Sequence, residues 1–370
     1  MQIAKIRGIA IELHYSTLVI VALVGLSAGQ FYLGITEGSA SLSDLLFVGF
    51  VSGFILLFSI LLHELMHSFT AQHYGLTITE IEMYLFGGVS KLHDEPKSPK
   101  QEFLIAFVGP LTSILLGAAF FLIRSIGLIQ TQTIDIIFWY AGFSNIVLGI
   151  FNLLPAYPMD GGRLVRAILW KKRGDLVLAT KSAAKAGEFF GGVLIFIGIT
   201  DVFIFGAVSG IWLVVMGLFL RSAARNSAAS TVLMSKLKGI TAQDLMSAPF
   251  LTVPSNISLE EAKNTYFKRA KLPYLFLENE EGLSGLIFAE DFRKLNPLSL
   301  KDLGTLSLAQ PLDALKQVSA DLEAEKILDM FQDQAVNSTR TSVLVVVSPL
   351  TGKPIGLVGP REVDFFLNYG

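Results

Sequence analysis

The chain has 370 residues, of which 52% are hydrophobic and only 16% are charged, and its mean hydropathy is +0.57. This composition excludes a chain built only from ordinary soluble domains, so a membrane-embedded part is expected. The formal net charge of -2 argues against nucleic acid as the main partner, because binding phosphates needs a concentrated basic face. Cysteine is absent, so disulfides and thiolate metal sites are excluded, and any metal would need His, Asp or Glu ligands.

Long uncharged stretches predict transmembrane helices, because about 20 apolar residues are enough to cross a hydrocarbon core of about 30 Å. Four such stretches are residues 16–36, 45–62, 103–123 and 136–159. A longer apolar stretch, residues 189–220, contains Asp201 as its one charged residue and predicts a tight helical hairpin, which gives about six spans. Buried helices of a soluble core are the alternative, but several runs of this length in one chain favour a membrane protein.

The first predicted helix lacks the small-residue cleavage site of a signal peptide, so we expect it to be retained. Six spans place both termini on one side, and the Lys/Arg distribution predicts that this side is the cytoplasm. We therefore expect an integral membrane protein of a prokaryotic plasma membrane with cytoplasmic termini. The cationic residues assigned to the inner side are Lys5, Arg7, Lys91, Lys97, Lys100, Arg163, Arg166, Lys171, Lys172, Arg173, Arg221 and Arg225.

The sequence His63-Glu-Leu-Met-His67 lies at one end of the second predicted span. Spacing of i and i+4 on a helix places both imidazoles on one face, so two nitrogen ligands can bind one metal. Glu64 is one residue further along, where its carboxylate can reach a metal-bound water without ligating the metal, as a general base does. A polar helix end without a metal is the alternative, but ionisable residues within a membrane are costly and usually functional.

A catalytic zinc site needs a third protein ligand, and Asp160 is the best candidate. Two prolines and two glycines in residues 152–162 end the fourth span and expose backbone that must be buried in protein or line a watery cavity. The second and fourth spans run in the same direction, so His67 and Asp160 reach similar depths. The alternative is that Asp160 caps a helix that begins near Arg163.

These motifs resemble those of the intramembrane site-2 metalloproteases, peptidase family M50. The pattern HExxHxxxAxxxG is matched by His63 to His67 with Ala71 and Gly75, and Asn152 with Pro158-Met-Asp160-Gly161 is similar to the second ligand motif. Two further pairs are similar to family landmarks: Gly87-Gly88 and Gly109-Pro110. The resemblance covers about residues 1–225 and implies a polytopic α-helical membrane domain.

The resemblance also implies a zinc-dependent endopeptidase that cleaves a membrane-protein substrate, such as a single-span helix, in regulated intramembrane proteolysis. Zn2+ would be bound by His63, His67 and Asp160, and Glu64 would act as the base. Asn152 would stabilise the oxyanion, although an interhelical hydrogen bond is the alternative role. The strand-like stretch of residues 83–90 would pair with extended substrate, or would pack only as a re-entrant loop.

The sequence changes character after Arg225. We predict a transmembrane metalloprotease domain at residues 1–225, a linker at residues 226–238, and a soluble α/β domain at residues 239–370. That last region contains two half-repeats of short apolar strands and charged helices, each too small to bury a core alone. The half-repeats resemble paired cystathionine-β-synthase (CBS) domains, because Asp244-Leu-Met246 and the stretch of residues 285–291 match the opening and the close of such a unit.

CBS pairs often bind adenine nucleotides, but the residues here argue against it. The ribose-contacting pattern would place Thr or Ser at Phe288 and Gly359, and Asp at Asp291 and Glu362. Only Asp291 fits. Two other roles are weighted equally with nucleotide binding. The CBS domains could form a homodimer, or they could gate the protease.

Two other functions remain as alternatives. A membrane transporter or channel with a regulatory CBS pair would place polar residues in several spans, whereas here they gather at one end of two spans. An inactive protease relative would act only as a binding protein, but the presence of Glu64 beside all three candidate ligands argues against it. The sequence leaves the substrate, the triggering signal and the oligomeric state open.

Overall fold

The computed structural model describes most of the chain, and it divides the chain into two compact units, Met1–Thr231 and Val232–Gly370. The described residues are 2–84, 87–92, 96–127, 129, 131–206, 209–247, 252–268, 274–280, 282–295, 300–337 and 343–369.

The membrane unit contains a small sheet and long helices. The strands β1 (Gln2–Ile6), β2 (Ile9–Leu13), β3 (Ile78–Tyr84) and β4 (Gly87–Leu92) lie in the order β1-β2-β3-β4. Strands β2 and β3 are parallel, and the other two pairs are antiparallel. The helices are α1 (Thr17–Ile35), α2 (Leu42–His73), α3 (Pro99–Ser125), α4 (Gln132–Asn152), α5 (Asp160–Arg173), α6 (Leu176–Phe205) and α7 (Ser209–Leu237).

Five helices in the described part of the chain are long and apolar enough to cross a membrane: α1, α2, α3, α4 and α6. The predicted hairpin corresponds to α6 and α7, and α6 begins earlier than expected, at Leu176. These two helices run antiparallel and touch through glycines, because a Cβ atom added at Gly198 would lie 2.5 Å from the carbonyl oxygen of Gly210. The predicted fold class, a polytopic helical domain followed by an α/β domain, is confirmed.

The second half of α2 packs against the small sheet. This helix has 32 residues and is therefore about 48 Å long, so it extends well beyond a hydrocarbon core of about 30 Å. Its start is capped by Ser41, whose hydroxyl accepts a hydrogen bond from the backbone N–H of Asp44. The buried residues that join the sheet to this half of α2 are Ile9, Ile11, Ile78, Ile81, Met83, Ile60, Leu65 and Ala71. The sheet thus holds the helix segment that carries the two histidines.

The C-terminal unit contains two three-stranded sheets of the same connection. Its elements are α8 (Ala242–Leu245), β5 (Thr252–Pro254), α9 (Leu259–Glu261), β6 (Tyr274–Asn279), β7 (Gly282–Phe288), β8 (Gln317–Ser319), α10 (Ala324–Asn337), β9 (Leu344–Val347), β10 (Pro354–Val358) and α11 (Pro360–Tyr369). In each sheet the first strand is parallel to the second, and the second is antiparallel to the third. Buried side chains of both sheets form one cluster, so the predicted pair of half-repeats is confirmed. The predicted linker spans residues 226–238, and residues 226–237 of it form the last part of α7.

Candidate metal centre

The three predicted metal ligands meet although they come from distant parts of the sequence. His63 and His67 lie one turn apart on α2, and Asp160 is the first residue of α5. The Oδ2 atom of Asp160 lies 3.2 Å from Nε2 of His63 and 3.1 Å from Nε2 of His67. The two Nε2 atoms are 3.0 Å apart. All three side chains are buried, so three potential ligand atoms converge on one enclosed point.

The chemistry of this donor set fits zinc. Ligand atoms at about 2.0–2.1 Å from a tetrahedral ion lie about 3.3 Å from one another, which is close to the spacing observed here. Two imidazole lone pairs and a carboxylate oxygen at such distances repel one another unless a cation or a proton lies between them. Two histidines and one carboxylate also leave the fourth tetrahedral position for water or substrate, as catalytic zinc sites do.

Helix α3 orients both imidazoles through their second nitrogen atoms. His67 Nδ1 lies 2.6 Å from the carbonyl oxygen of Ile105, which can only accept a hydrogen bond, so the proton of this ring is on Nδ1. His63 Nδ1 lies 2.9 Å from the hydroxyl of the buried Ser113. The carbonyl fixes the tautomer of His67 and leaves its Nε2 without a proton, available to bind a metal, and the hydroxyl holds the ring of His63 in place. Neither contact was predicted from the sequence, although a serine in an uncharged span was an available signal for Ser113.

Helix α3 also approaches the histidines so closely that residue 109 must be glycine. A Cβ atom at Gly109 would overlap Nε2 of His67 and would lie 2.7 Å from Nε2 of His63. The absence of a side chain at Gly109 therefore leaves open the space into which both ligand atoms point. The close contact with both imidazoles explains why the first residue of the Gly109-Pro110 pair is glycine.

The glycines that follow Asp160 fit α5 against the end of the preceding segment. A Cβ atom at Gly161 would overlap the carbonyl of Leu153, and one at Gly162 would overlap the backbone of Tyr157. The N-cap residue of α5 is Met159, so Asp160 lies in the first helical turn and the alternative role as the cap is wrong. Its Oδ1 atom faces Arg163, with Nη1 at 3.7 Å.

Glu64 lies next to the histidines and beneath strand β4. A Cβ atom at Gly88 would overlap Cγ of Glu64 and would lie 2.9 Å from its Cδ, so the backbone of β4 passes directly over this carboxylate. Asn152 is the last residue of α4, and its amide donates a hydrogen bond of 2.9 Å to the carbonyl of Leu148. That bond lies within α4, not between helices.

Two of the remaining histidines, His14 and His73, are described and do not belong to the group of three converging ligands. His14 contacts the hydroxyl of Ser16 at 2.8 Å, and His73 is the last residue of α2, with its ring against Tyr74. His93 lies outside the described residues. Among the described residues one other group has metal-ligand spacing, Glu12, Glu80 and Glu82 on the sheet, and it contains only carboxylates.

The sequence is similar to known protein families and to named proteins. Residues 52–130 and 123–198 match the model of peptidase family M50, and residues 242–296 match that of the CBS domain. Rip3 of Mycobacterium tuberculosis, named as a zinc metalloprotease, is 32% identical over 98% of this chain and 91% of its own length. The zinc metalloprotease MJ0392 of Methanocaldococcus jannaschii is 33% identical over 75% of each chain. The solved structure of a site-2 protease from Methanocaldococcus jannaschii is 30% identical, covers 62% of this chain and 94% of that one, and has a TM-score of 0.44.

The chain therefore belongs to peptidase family M50, the intramembrane zinc metalloproteases of the site-2 type. It is an integral membrane protein with Zn2+ as its cofactor and a CBS domain in its C-terminal part. Membrane proteins and lipid are the partners that this family implies. The transporter or channel alternative is not favoured.

Proposed function

We propose that this chain is an active zinc-dependent intramembrane endopeptidase that cleaves single-span membrane proteins in regulated intramembrane proteolysis. The observation that supports it best is the buried convergence of His63, His67 and Asp160, with Glu64 adjacent on α2. In this proposal these three side chains bind the zinc ion. When bound, zinc polarises the scissile carbonyl and activates a water molecule for attack.

Each remaining residue of the site then has a defined task. Glu64 accepts the proton of the attacking water and delivers it to the leaving amide nitrogen. Asn152 uses one N–H for the carbonyl of Leu148, and its second N–H donates to the developing oxyanion. Ser113 and the carbonyl of Ile105 keep both imidazoles in the ligand orientation.

Strand β4 is the proposed substrate-binding edge. It is the last strand of the sheet order β1-β2-β3-β4 and lies over Glu64. A helical substrate hydrogen-bonds its own backbone, so it must unwind before hydrolysis. An unwound segment can then pair by β-augmentation with β4 as the edge strand of the described sheet, which holds the scissile bond in an extended form close to the base.

The test of this function is the Glu64→Gln variant of the full chain, reconstituted in liposomes with a single-span reporter substrate. We expect cleavage to fall by about 10²–10⁴-fold while the zinc content stays at one ion per chain. Glu37→Gln is the matched control, because it makes the same change at an exposed residue of a predicted outer loop. Cleavage by the Glu64→Gln variant at the wild-type rate, or a zinc-loaded wild-type chain that cleaves no membrane substrate, would refute the proposal.

The C-terminal CBS pair, predicted at residues 239–370, is proposed to regulate the protease domain at residues 1–225 from the cytoplasm of a prokaryotic cell. The contacts of Glu362 disfavour an adenine nucleotide as the effector. Its carboxylate accepts hydrogen bonds from the Tyr274 hydroxyl and from the backbone N–H of Gly359. Burial, together with the bond to Glu362, raises the pKa of Tyr274, so this hydroxyl stays protonated and keeps donating. The proposed modes of regulation are therefore dimerisation through the CBS domains or gating of the protease domain.

A further inference from the structure

A chain of buried polar side chains lies beside the metal-binding segment and contains none of the three proposed ligands. Arg166 of α5 donates hydrogen bonds to one carboxylate oxygen of Glu102 on α3. Its Nη1 also donates to the hydroxyl oxygen of Tyr157 at 2.9 Å. The hydroxyl of Ser227 on α7 donates to the same oxygen, also at 2.9 Å. Helices α5 and α7 thus hold the tyrosine hydroxyl directly, and α3 holds the Arg166 side chain that contacts it.

These side chains are buried more deeply than a surface ion pair would be. Glu102 is 0% exposed, Tyr157 4% and Arg166 6%. Replacing a buried ion pair by apolar residues of similar volume is often neutral or stabilising, so stability alone is a weak reason for its presence. A buried, hydrogen-bonded pair of this kind does fix the orientation of the side chains that it contacts.

Tyr157 lies three residues before Asp160, in the segment between α4 and α5. Its backbone is enclosed on two sides, because a Cβ atom at Gly162 would overlap its N and Cα atoms and one at Gly187 would overlap its carbonyl oxygen. The side chain is held at its far end by Arg166 and Ser227. The backbone and the side-chain hydroxyl of Tyr157 are therefore both held in place, three residues before the carboxylate that faces the imidazoles.

We propose that Tyr157 is a positioning residue for Asp160, and that Arg166 and Ser227 act through its hydroxyl. The inference rests on the proposed ligand set. Holding Tyr157 fixes the start of α5, and so keeps Oδ2 of Asp160 within reach of both Nε2 atoms. Removing a residue that orients a metal ligand typically lowers the metal affinity by about 10–100-fold. The reason is that a ligand atom must be held to within about 0.5 Å of its functional position.

The test uses Tyr157→Phe in the purified full chain, with the zinc dissociation constant measured by competition against a chelator. We expect zinc binding to weaken about 10-fold. Tyr32→Phe is the matched control, because Tyr32 is also buried and its hydroxyl lies 3.0 Å from the Thr133 hydroxyl, far along the sequence from any proposed ligand. The control should bind zinc as the wild type does. Wild-type affinity in Tyr157→Phe, or an equal loss in Tyr32→Phe, would overturn the inference.

A second variant keeps the test decisive if Tyr157→Phe fails to fold. Ser227→Ala removes only one of the two hydrogen bonds to the tyrosine hydroxyl, and we expect zinc binding to weaken about 3-fold. Unchanged affinity in this variant counts against the inference.

Asp160→Ala separates the two proposals: if it leaves zinc affinity unchanged, the ligand set is wrong. If Asp160→Ala loses zinc while Tyr157→Phe and Ser227→Ala do not, only the positioning role is wrong.

Discussion

Replacing Gly109 by alanine perturbs the metal centre from α3 without altering any proposed ligand. The added methyl group would overlap Nε2 of His67, and it would lie 2.5 Å from Cε1 of the same ring and 2.7 Å from Nε2 of His63. Favourable contacts between heavy atoms begin near 3.5 Å, so the His67 imidazole must retreat by more than about 1 Å. That is more than the roughly 0.5 Å within which a functional site must be held. We therefore expect Gly109→Ala to bind zinc at least about 100-fold more weakly than the wild type.

The helix itself should tolerate this substitution, because alanine in a helix is favoured over glycine by about 0.5–1 kcal/mol. The matched control is Gly192→Ala in α6, where no atom lies within 4 Å of an added Cβ. Zinc content and chelator competition measure binding, and far-UV circular dichroism checks that helicity is retained. The control should bind zinc normally. If Gly109→Ala also bound zinc with wild-type affinity, the imidazole pair would not be the zinc site.

Three further outcomes follow from the contacts. Ser113→Ala should weaken zinc binding by about 10–100-fold in the same competition assay, and wild-type affinity would contradict the orienting role. Gly88→Ala places a methyl group against Glu64 and should lower kcat while zinc content is unchanged; full activity would contradict the placement of β4. Tyr274→Phe removes the bond to Glu362 and should destabilise β6 by about 1 kcal/mol, measured by hydrogen exchange, whereas unchanged protection would show that the bond contributes nothing.

The candidate site could be predicted from sequence where its geometry is local. The spacing of His63 and His67 fixes their common helix face, and charged residues stand out against uncharged spans. Asp160 required one further step, the parallel direction of the second and fourth spans. The structure brings Asp160 to both histidines, and the N-cap position of α5, the alternative role for Asp160, is occupied by Met159.

The contribution of α3 could not be predicted because it depends on how the helices pack. The carbonyl of Ile105 is a backbone group, so no residue type identifies it. The need for glycine at residue 109 arises only when the imidazoles lie against α3. Similarly, strand β2 pairs with β3 although α1 and α2 separate them in sequence, and such pairing leaves no short-range pattern.

The most direct test of the central claim is the zinc X-ray absorption spectrum of the purified full chain. We expect one zinc ion per chain, with two imidazoles and oxygen ligands at about 2.0–2.1 Å, and loss of this spectrum when His63 or Asp160 is replaced by alanine. A chain that binds no zinc after metal loading, or a zinc spectrum with one or three imidazoles, would contradict it.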